Sequence, residues 1–283
     1  MNGYFEGWYF KHQSPDGAVA LIPAYHREEN GREYATLQII TDSLSRAVQF
    51  ETFSFSRHRD LFRLGAHTSF SHKGAHIYVH TPQLRLDGWL RYRNLTPLPH
   101  DIMGPFRFVP FMQCRHSVFS LSHRVDGFLR INERMYRFDN ATGYMEGDRG
   151  HSFPRQYLWT QANWDQNSIM LSAADIPLAN KHFTGCIGAV LAHGKTYRFA
   201  TYAGAHVDYA DKRTLVMRQG DVRIQVESLG DSSGQPLGAP QQGRMSRTIH
   251  ENLSCPVRYQ IWRGRERMMD IVSREASFES AWD

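Results

Sequence analysis

Cysteine, lysine and long apolar runs are scarce in this sequence of 283 residues. Its three cysteines lie far apart and none forms a Cys-x-x-Cys pair, which excludes a disulfide scaffold and a cysteine zinc site. No run approaches about 18 apolar residues, so a membrane-spanning helix is excluded. The first residues do not join a basic region to an apolar run. We therefore expect no signal peptide and a cytoplasmic location with reduced thiols.

Only five of the 33 basic residues are lysines, and the arginines are spread among aromatic residues. The net charge of +5 and the isoelectric point of about 9.1 would suit a nucleic acid or another anionic surface. However, there is no basic run of five residues and no helix that could read a groove. We therefore expect no nucleic-acid partner, whereas peripheral contact with a membrane stays open.

Several familiar catalytic motifs are also missing. The sequence has no nucleophile elbow, no P-loop and no glycine-rich dinucleotide motif. His72, His76 and His80 recur every four residues, but their segment has the pattern of a strand and no acid accompanies them. We therefore expect neither a metal site nor a cofactor.

Short segments that alternate apolar and polar residues dominate the chain, and glycine-rich turns separate them. The clearest alternating segments span residues 48–56, 75–80, 84–90, 196–202 and 222–226. No amphipathic helix of four turns is visible. The pattern predicts an all-β protein of antiparallel barrels or sandwiches, with residues 228–243 forming a loop.

A weak internal repeat divides the chain. The sequence Gly-Tyr-Phe-Glu-Gly at residues 3–7 returns as Gly-Tyr-Met-Glu-Gly at residues 143–147. An offset near half the chain length indicates duplication. We therefore predict two β-domains, residues 1–140 and 141–283, and each would close its own sheet edges.

The second copy of the repeat carries the densest group of chemical side chains. Glu146, Asp148 and His151 stand close in sequence and are followed by a strand. On one face of that strand lie Tyr157, Trp159, Gln161 and Asn163, because side chains alternate along a strand. Such a face suits a pocket with an aromatic wall and a few polar groups. In the alternative interpretation, the two acids pair with Arg149 and Arg155 for structural reasons.

The first copy places Glu6 on the same strand face as the aromatic residues Tyr4, Trp8 and Phe10. If that face is interior, the Glu6 carboxyl must be paired or protonated, since desolvation raises its pKa. Glu6 and Trp8 are therefore candidate binding residues. The alternative is a carboxylate satisfied by one of the many arginines.

Four motifs resemble the tocopherol cyclase family: residues 5–9 (Phe-Glu-Gly-Trp-Tyr), 116–123, 143–154 and 157–163. The resemblance implies two tandem lipocalin-like domains around a lipophilic pocket. It also implies acid-catalysed cyclisation or hydration of a prenylated or polyunsaturated lipid such as a prenyl quinol, an isomerase or lyase reaction. One position departs from the family pattern, because Arg149 stands where members often carry Trp.

Two hypotheses follow. In the first, Glu146, Asp148 and His151 are catalytic, and the binding residues are Glu6, Trp8, Tyr157, Trp159, Gln161 and Asn163. In the second, the protein is a non-catalytic carrier of a small lipophile. Acids held by arginines at the surface would favour the carrier. An acid in an apolar cavity without a cation would favour the enzyme.

Overall fold

The computed structural model describes residues 3–109, 112–178, 181–230 and 234–282, and nearly all of its regular structure is antiparallel strand. Two short 3₁₀-helices, Gly104–Phe108 and Thr201–Ala203, complete it. Neither helix could cross a membrane. Because polar and apolar residues alternate so widely, the chain forms sheets, and the predicted all-β class is confirmed.

The chain forms two compact units. Unit 1 comprises Met1–Pro97, His116–Ser152 and Leu237–Arg247, and unit 2 comprises Leu98–Arg115, Phe153–Pro236 and Thr248–Asp283. Residue 140, where the repeat predicts a domain boundary, lies within a strand of unit 1.

Eleven strands build the sheet of unit 1, in the order β4-β3-β2-β1-β11-β10-β9-β8-β7-β6-β5. Their bounds are β1 Tyr4–Ser14, β2 Gly17–Arg27, β3 Glu33–Thr41, β4 Ser45–Phe50, β5 Phe53–Ser56, β6 Leu61–Leu64, β7 Thr68–Ser71, β8 Gly74–Thr81, β9 Leu84–Arg93, β10 Cys114–Ile131 and β11 Arg134–Gly150. β6 comes close to β3, so the sheet curls into a nearly closed barrel. Its apolar core includes Trp8, Phe10 and Met145.

A second antiparallel sheet, most of whose strands belong to unit 2, has the order β15-β14-β13-β12-β21-β20-β18-β17-β16, and β19 also pairs with β20. The bounds are β12 Tyr157–Trp164, β13 Asn167–Leu178, β14 Lys181–Ala192, β15 Lys195–Ala200, β16 His206–Ala210, β17 Thr214–Gln219, β18 Val222–Ser228, β19 Gln235–Gln241, β20 Arg244–Arg263 and β21 Glu266–Ser280. Leu158, Ala162 and Tyr259 belong to its apolar core.

The loop predicted over residues 228–243 is wrong in its second half, where β19 forms; residues 231–233 lie outside the described residues. The side-chain amide of Gln38 explains the strand. Its Nε2 donates to the carbonyl of Gly238 at 3.1 Å, and its Oε1 accepts from the Gly238 N–H at 2.8 Å. Long-range pairing thus overrides a local composition typical of loops.

Strand pairing gives β1 and β11 two chemically different faces. Trp8 lies opposite Gly147 and Glu6 lies opposite Arg149, so these four residues share the face that holds the core. Tyr9 lies opposite Glu146. The acids predicted to be catalytic therefore occupy the other face of the same sheet.

Candidate active site

On the face of β10 and β11 opposite the core, His116 lies between two carboxylates. Its Nε2 is 3.2 Å from Glu146 Oε2, and its Nδ1 is 3.0 Å from Asp148 Oδ1. The Tyr144 hydroxyl donates a hydrogen bond to the Glu146 carboxylate. We call His116, Glu146, Asp148 and Tyr144 the acid cluster. It lines up the three ionisable groups Glu146, His116 and Asp148 in one chain of contacts.

The three ionisable side chains of the acid cluster are buried to different extents. The side chains of Glu146 and His116 are 7% and 11% exposed, whereas that of Asp148 is 23% exposed. Burial disfavours a charged His116 ring, but the two carboxylates outweigh it and raise the pKa of His116 well above its ordinary value. Burial and the Glu146 charge together raise the pKa of Tyr144 well above its usual range. The cluster therefore keeps a proton on His116, and Asp148 is its most accessible member.

The three ligand-type residues could also be considered for a metal ion, since their donor atoms lie within 4.8 Å of one another. A metal ion would need a lone pair on an imidazole nitrogen and would have to displace the proton there. Each ring nitrogen of His116 already faces a carboxylate oxygen. The donor set therefore suits proton sharing better than metal binding.

Glu6 and Trp8 lie on the core face and line a cavity of about 40 Å³. The Glu6 carboxylate is held by Arg57, whose Nε donates to Oε1 at 2.8 Å and whose Nη2 contacts Oε2. The Tyr4 hydroxyl also donates to Glu6, at 2.7 Å. The interior carboxylate is therefore paired with an arginine, as the structural alternative for Glu6 proposed.

The remaining predicted residues lie elsewhere. The ring of His151 follows the end of β11 and is 3.3 Å from the Ser152 hydroxyl, so this geometry gives it no place in the acid cluster. Tyr157, Trp159, Gln161 and Asn163 share a face of β12 in unit 2, and that face is opposite the core residues Leu158 and Ala162. Tyr157 donates to the Glu279 carboxylate, and Gln161 donates to Asn163. Pocket formation by this face stays a prediction.

Sequence reasoning missed His116, although a signal for it was present. His116 lies 15 residues before Ile131, where β10 ends, and Asp148 lies 14 residues after Arg134, where β11 begins. In an antiparallel hairpin, residues equally distant from the turn become neighbours. A predicted turn at residues 132–133 would have placed the two within one position of each other.

The glycines of the repeated motif have a packing reason. A Cβ on Gly147 would lie 2.8 Å from the Phe119 ring and 3.0 Å from the carbonyl oxygen of Gly7. The second contact is with backbone, which cannot move away easily. The motif therefore marks a close approach of β1, β10 and β11 beside the acid cluster.

We expect Gly147→Ala to destabilise the protein by about 1–3 kcal/mol, the usual cost of overpacking. Urea unfolding of the variant and the parent would measure it. Gly185→Ala is the matched control in β14, where the nearest atom to the added Cβ is a flexible Ile176 side-chain carbon at 3.1 Å. Equal loss in both variants would contradict the packing explanation.

Comparisons with known proteins agree with this fold. A family model described as tocopherol cyclase-like matches residues 100–281, which is more than half of the chain. The chain belongs to this family. No curated protein sequence matches it at a significant level.

Two solved structures share the architecture at 10% sequence identity and a TM-score of 0.54. One, from Nitrosomonas europaea, is provisionally described as AttH; the match covers 100% of this chain and 93% of that chain. The other is kievitone hydratase from Nectria haematococca, with 99% and 88% covered. At this identity the likeness concerns the fold alone, and it confirms the expected tandem lipocalin-like β-architecture.

Proposed function

We propose that this protein catalyses acid-dependent addition across a carbon–carbon double bond of a lipophilic substrate, by hydration or by intramolecular cyclisation. The observation that carries the proposal is His116 held between Glu146 and Asp148 in a buried cluster. Membership of the tocopherol cyclase-like family and the fold shared with a kievitone hydratase support the reaction class.

Asp148 is the proposed proton donor, because it is the most exposed of the three ionisable groups. When its carboxyl is protonated, the Glu146 carboxylate and the His116 imidazolium form a neutral pair. Burial favours such a neutral cluster over one that carries a net negative charge. Glu146 and His116 are then positioning residues, which contact one another and hold the Asp148 carboxyl in place.

The Asp148 carboxyl both donates the proton at the start of the reaction and takes one back at the end. Asp148 transfers its proton to one alkene carbon, and the other carbon becomes a tertiary cation. The oxygen of water or of a phenol within the substrate bonds to that carbon, and its O–H proton returns to the Asp148 carboxylate. General-acid catalysis of this kind contributes about 10²–10⁴-fold to the rate.

Isotope labelling tests the proposal and separates its two forms. The purified protein would be incubated with a panel of prenylated quinols and polyenes in D₂O and, separately, in H₂¹⁸O. Protonation of an alkene leaves one deuterium on carbon in either reaction, whereas only hydration adds ¹⁸O. Saturable binding without any labelled product would support the carrier instead.

A chelator adds a second expectation. Because the acid cluster suits proton sharing, we expect turnover to survive overnight dialysis against EDTA unchanged. Loss of turnover with recovery on adding a divalent metal would contradict the proposed chemistry at His116.

A further inference from the structure

The cavity on the core face of unit 1 belongs to a different site from the acid cluster. Its wall includes Glu6, Trp8, His72, Phe119 and Arg149. Asp148 also borders it, but strand alternation turns the Asp148 carboxylate to the opposite face from Arg149, so the cavity meets its backbone. The proposed proton transfer therefore does not use this space.

The cavity has more positive than negative side-chain charge around it. Arg57 already neutralises Glu6, as described above. The guanidinium of Arg149 has no hydrogen bond or ion pair with any residue that the structure describes. Arg149 thus leaves an unmatched positive charge at the cavity, which favours an anion.

His72 supplies a second polar group. Its ring centre is 5.0 Å from that of Trp8 and 4.2 Å from that of Phe119. Its Nδ1 lies 3.0 Å from Asp60 Oδ1, and both Asp60 oxygens accept from its backbone N–H at 3.1 Å. On the far side of the ring, Nε2 is buried and has no hydrogen-bond partner within the described ranges. Asp60 therefore fixes the orientation of the His72 ring and leaves Nε2 available to a ligand.

We propose that this cavity binds a carboxylate, held by Arg149 and by His72 Nε2 against the Trp8 and Phe119 rings. The volume of about 40 Å³ suits a group of a few non-hydrogen atoms, since one enclosed water needs about 10–15 Å³ on this scale. A carboxylate could come from a small free acid or from the head of a fatty acid.

Binding should strengthen as the pH falls. Burial lowers the pKa of His72, so near pH 8 its Nε2 carries no proton and accepts rather than donates. A carboxylate needs a donor there, so binding takes up a proton. The charged groups that face the ring are Asp60 on its Nδ1 side and, across the cavity, Glu6 with Arg57, and Arg149.

Ligand-observed NMR with ¹³C-labelled acetate tests the proposal at pH 5.5 and pH 8. We expect saturable binding that is tighter at pH 5.5, and a loss of about tenfold or more in affinity for Arg149→Gln, because a charge-assisted hydrogen bond disappears. His72→Phe keeps the aromatic wall and should abolish the pH dependence. Arg137→Gln, an exposed arginine of β11, is the matched control and should bind acetate as the parent does.

Further ligands identify the source. Decanoate binding more tightly than acetate would indicate a fatty-acid head, and equal affinities would indicate a small free acid. Inorganic phosphate binding better than acetate would overturn the carboxylate assignment. So would equal affinity for neutral acetamide, an unaltered affinity in Arg149→Gln, or no saturable binding to the parent protein.

Discussion

Asp148→Asn is expected to lower turnover by about 10²–10⁴-fold while the melting temperature stays close to that of the parent. The amide removes the transferable proton, which accounts for the loss of general-acid catalysis. Its oxygen can still accept from His116 Nδ1, which lies 3.0 Å from Asp148 Oδ1, so the cluster keeps its shape. Steady-state kinetics on the labelled substrate and thermal unfolding of the same sample measure the two effects.

Asp139→Asn is the matched control, since Asp139 is an exposed residue of the same strand. It should change neither quantity. Unchanged turnover in Asp148→Asn would refute its role as donor. If Glu146→Gln instead abolished turnover completely while Asp148→Asn retained it, the donor would be Glu146.

Glu146→Gln is expected to change how turnover depends on pH. In the parent, turnover should fall as the pH rises through the apparent pKa of the cluster, because the cluster then loses the proton that reaches the alkene. Removing the Glu146 charge removes the principal cause that raises the pKa of His116. The alkaline fall in turnover should therefore move to lower pH. A purely structural role for Glu146 would reduce the amount of folded enzyme without moving the pH profile.

The fold was predictable from local patterns, because alternation alone identifies strands and glycines mark their turns. The order of strands was not predictable in the same way. β1 pairs with β11, and residues 237–247 join unit 1 although they follow most of unit 2 in sequence. Composition and periodicity carry no information about such distant pairing, so the repeat alone placed the boundary at residue 140.

The candidate site was predictable only in part. Glu146 and Asp148 were recognisable as acids beside a glycine motif, but the histidine of the preceding strand that lies between them was not recognised as their partner. Arginine abundance made an arginine the natural expectation. The register of a long hairpin, rather than composition, decides which basic residue meets the acids.

Two buried histidines of unit 1 are expected to make the protein unfold at low pH. Inside the barrel of unit 1, the Tyr92 hydroxyl lies 2.8 Å from His12 Nε2, and His12 Nδ1 lies 3.2 Å from the carbonyl of Val19. These contacts fit a neutral ring, which accepts from Tyr92 and donates to Val19. His123 packs edge-on against Tyr92, and neither of its ring nitrogens has a hydrogen-bond partner in the part of the chain that the structure describes. Both imidazoles are therefore buried in their neutral form.

Burial lowers the pKa of His12 and of His123 to about 3 each. In the unfolded chain both titrate near 6.5, so below that pH the unfolded state binds more protons than the folded state. The free energy of unfolding should therefore fall as the pH drops from about 6.5 towards 3, by up to about 1.4 kcal/mol per pH unit for each histidine. Two pH units would remove about 5 kcal/mol in total, which is comparable with the whole stability of many domains. We expect unit 1 to unfold between about pH 6 and pH 4.

His123→Leu tests this sharply, because it removes one titrating ring and two buried nitrogens without hydrogen bonds. The His123 ring costs the parent about 2.7 kcal/mol of its free energy of unfolding over the two pH units below 6.5. The variant avoids this loss, so its free energy of unfolding relative to the parent should be about 2.7 kcal/mol higher at pH 4.5 than at pH 7. Urea unfolding at the two pH values, monitored by far-ultraviolet circular dichroism, measures the difference. His58→Gln, an exposed histidine of the same unit, controls for a general effect of charge. A parallel shift of both variants with pH would show that the acid transition belongs to other groups, whereas a gain confined to His123→Leu would locate it at the buried ring beside Tyr92.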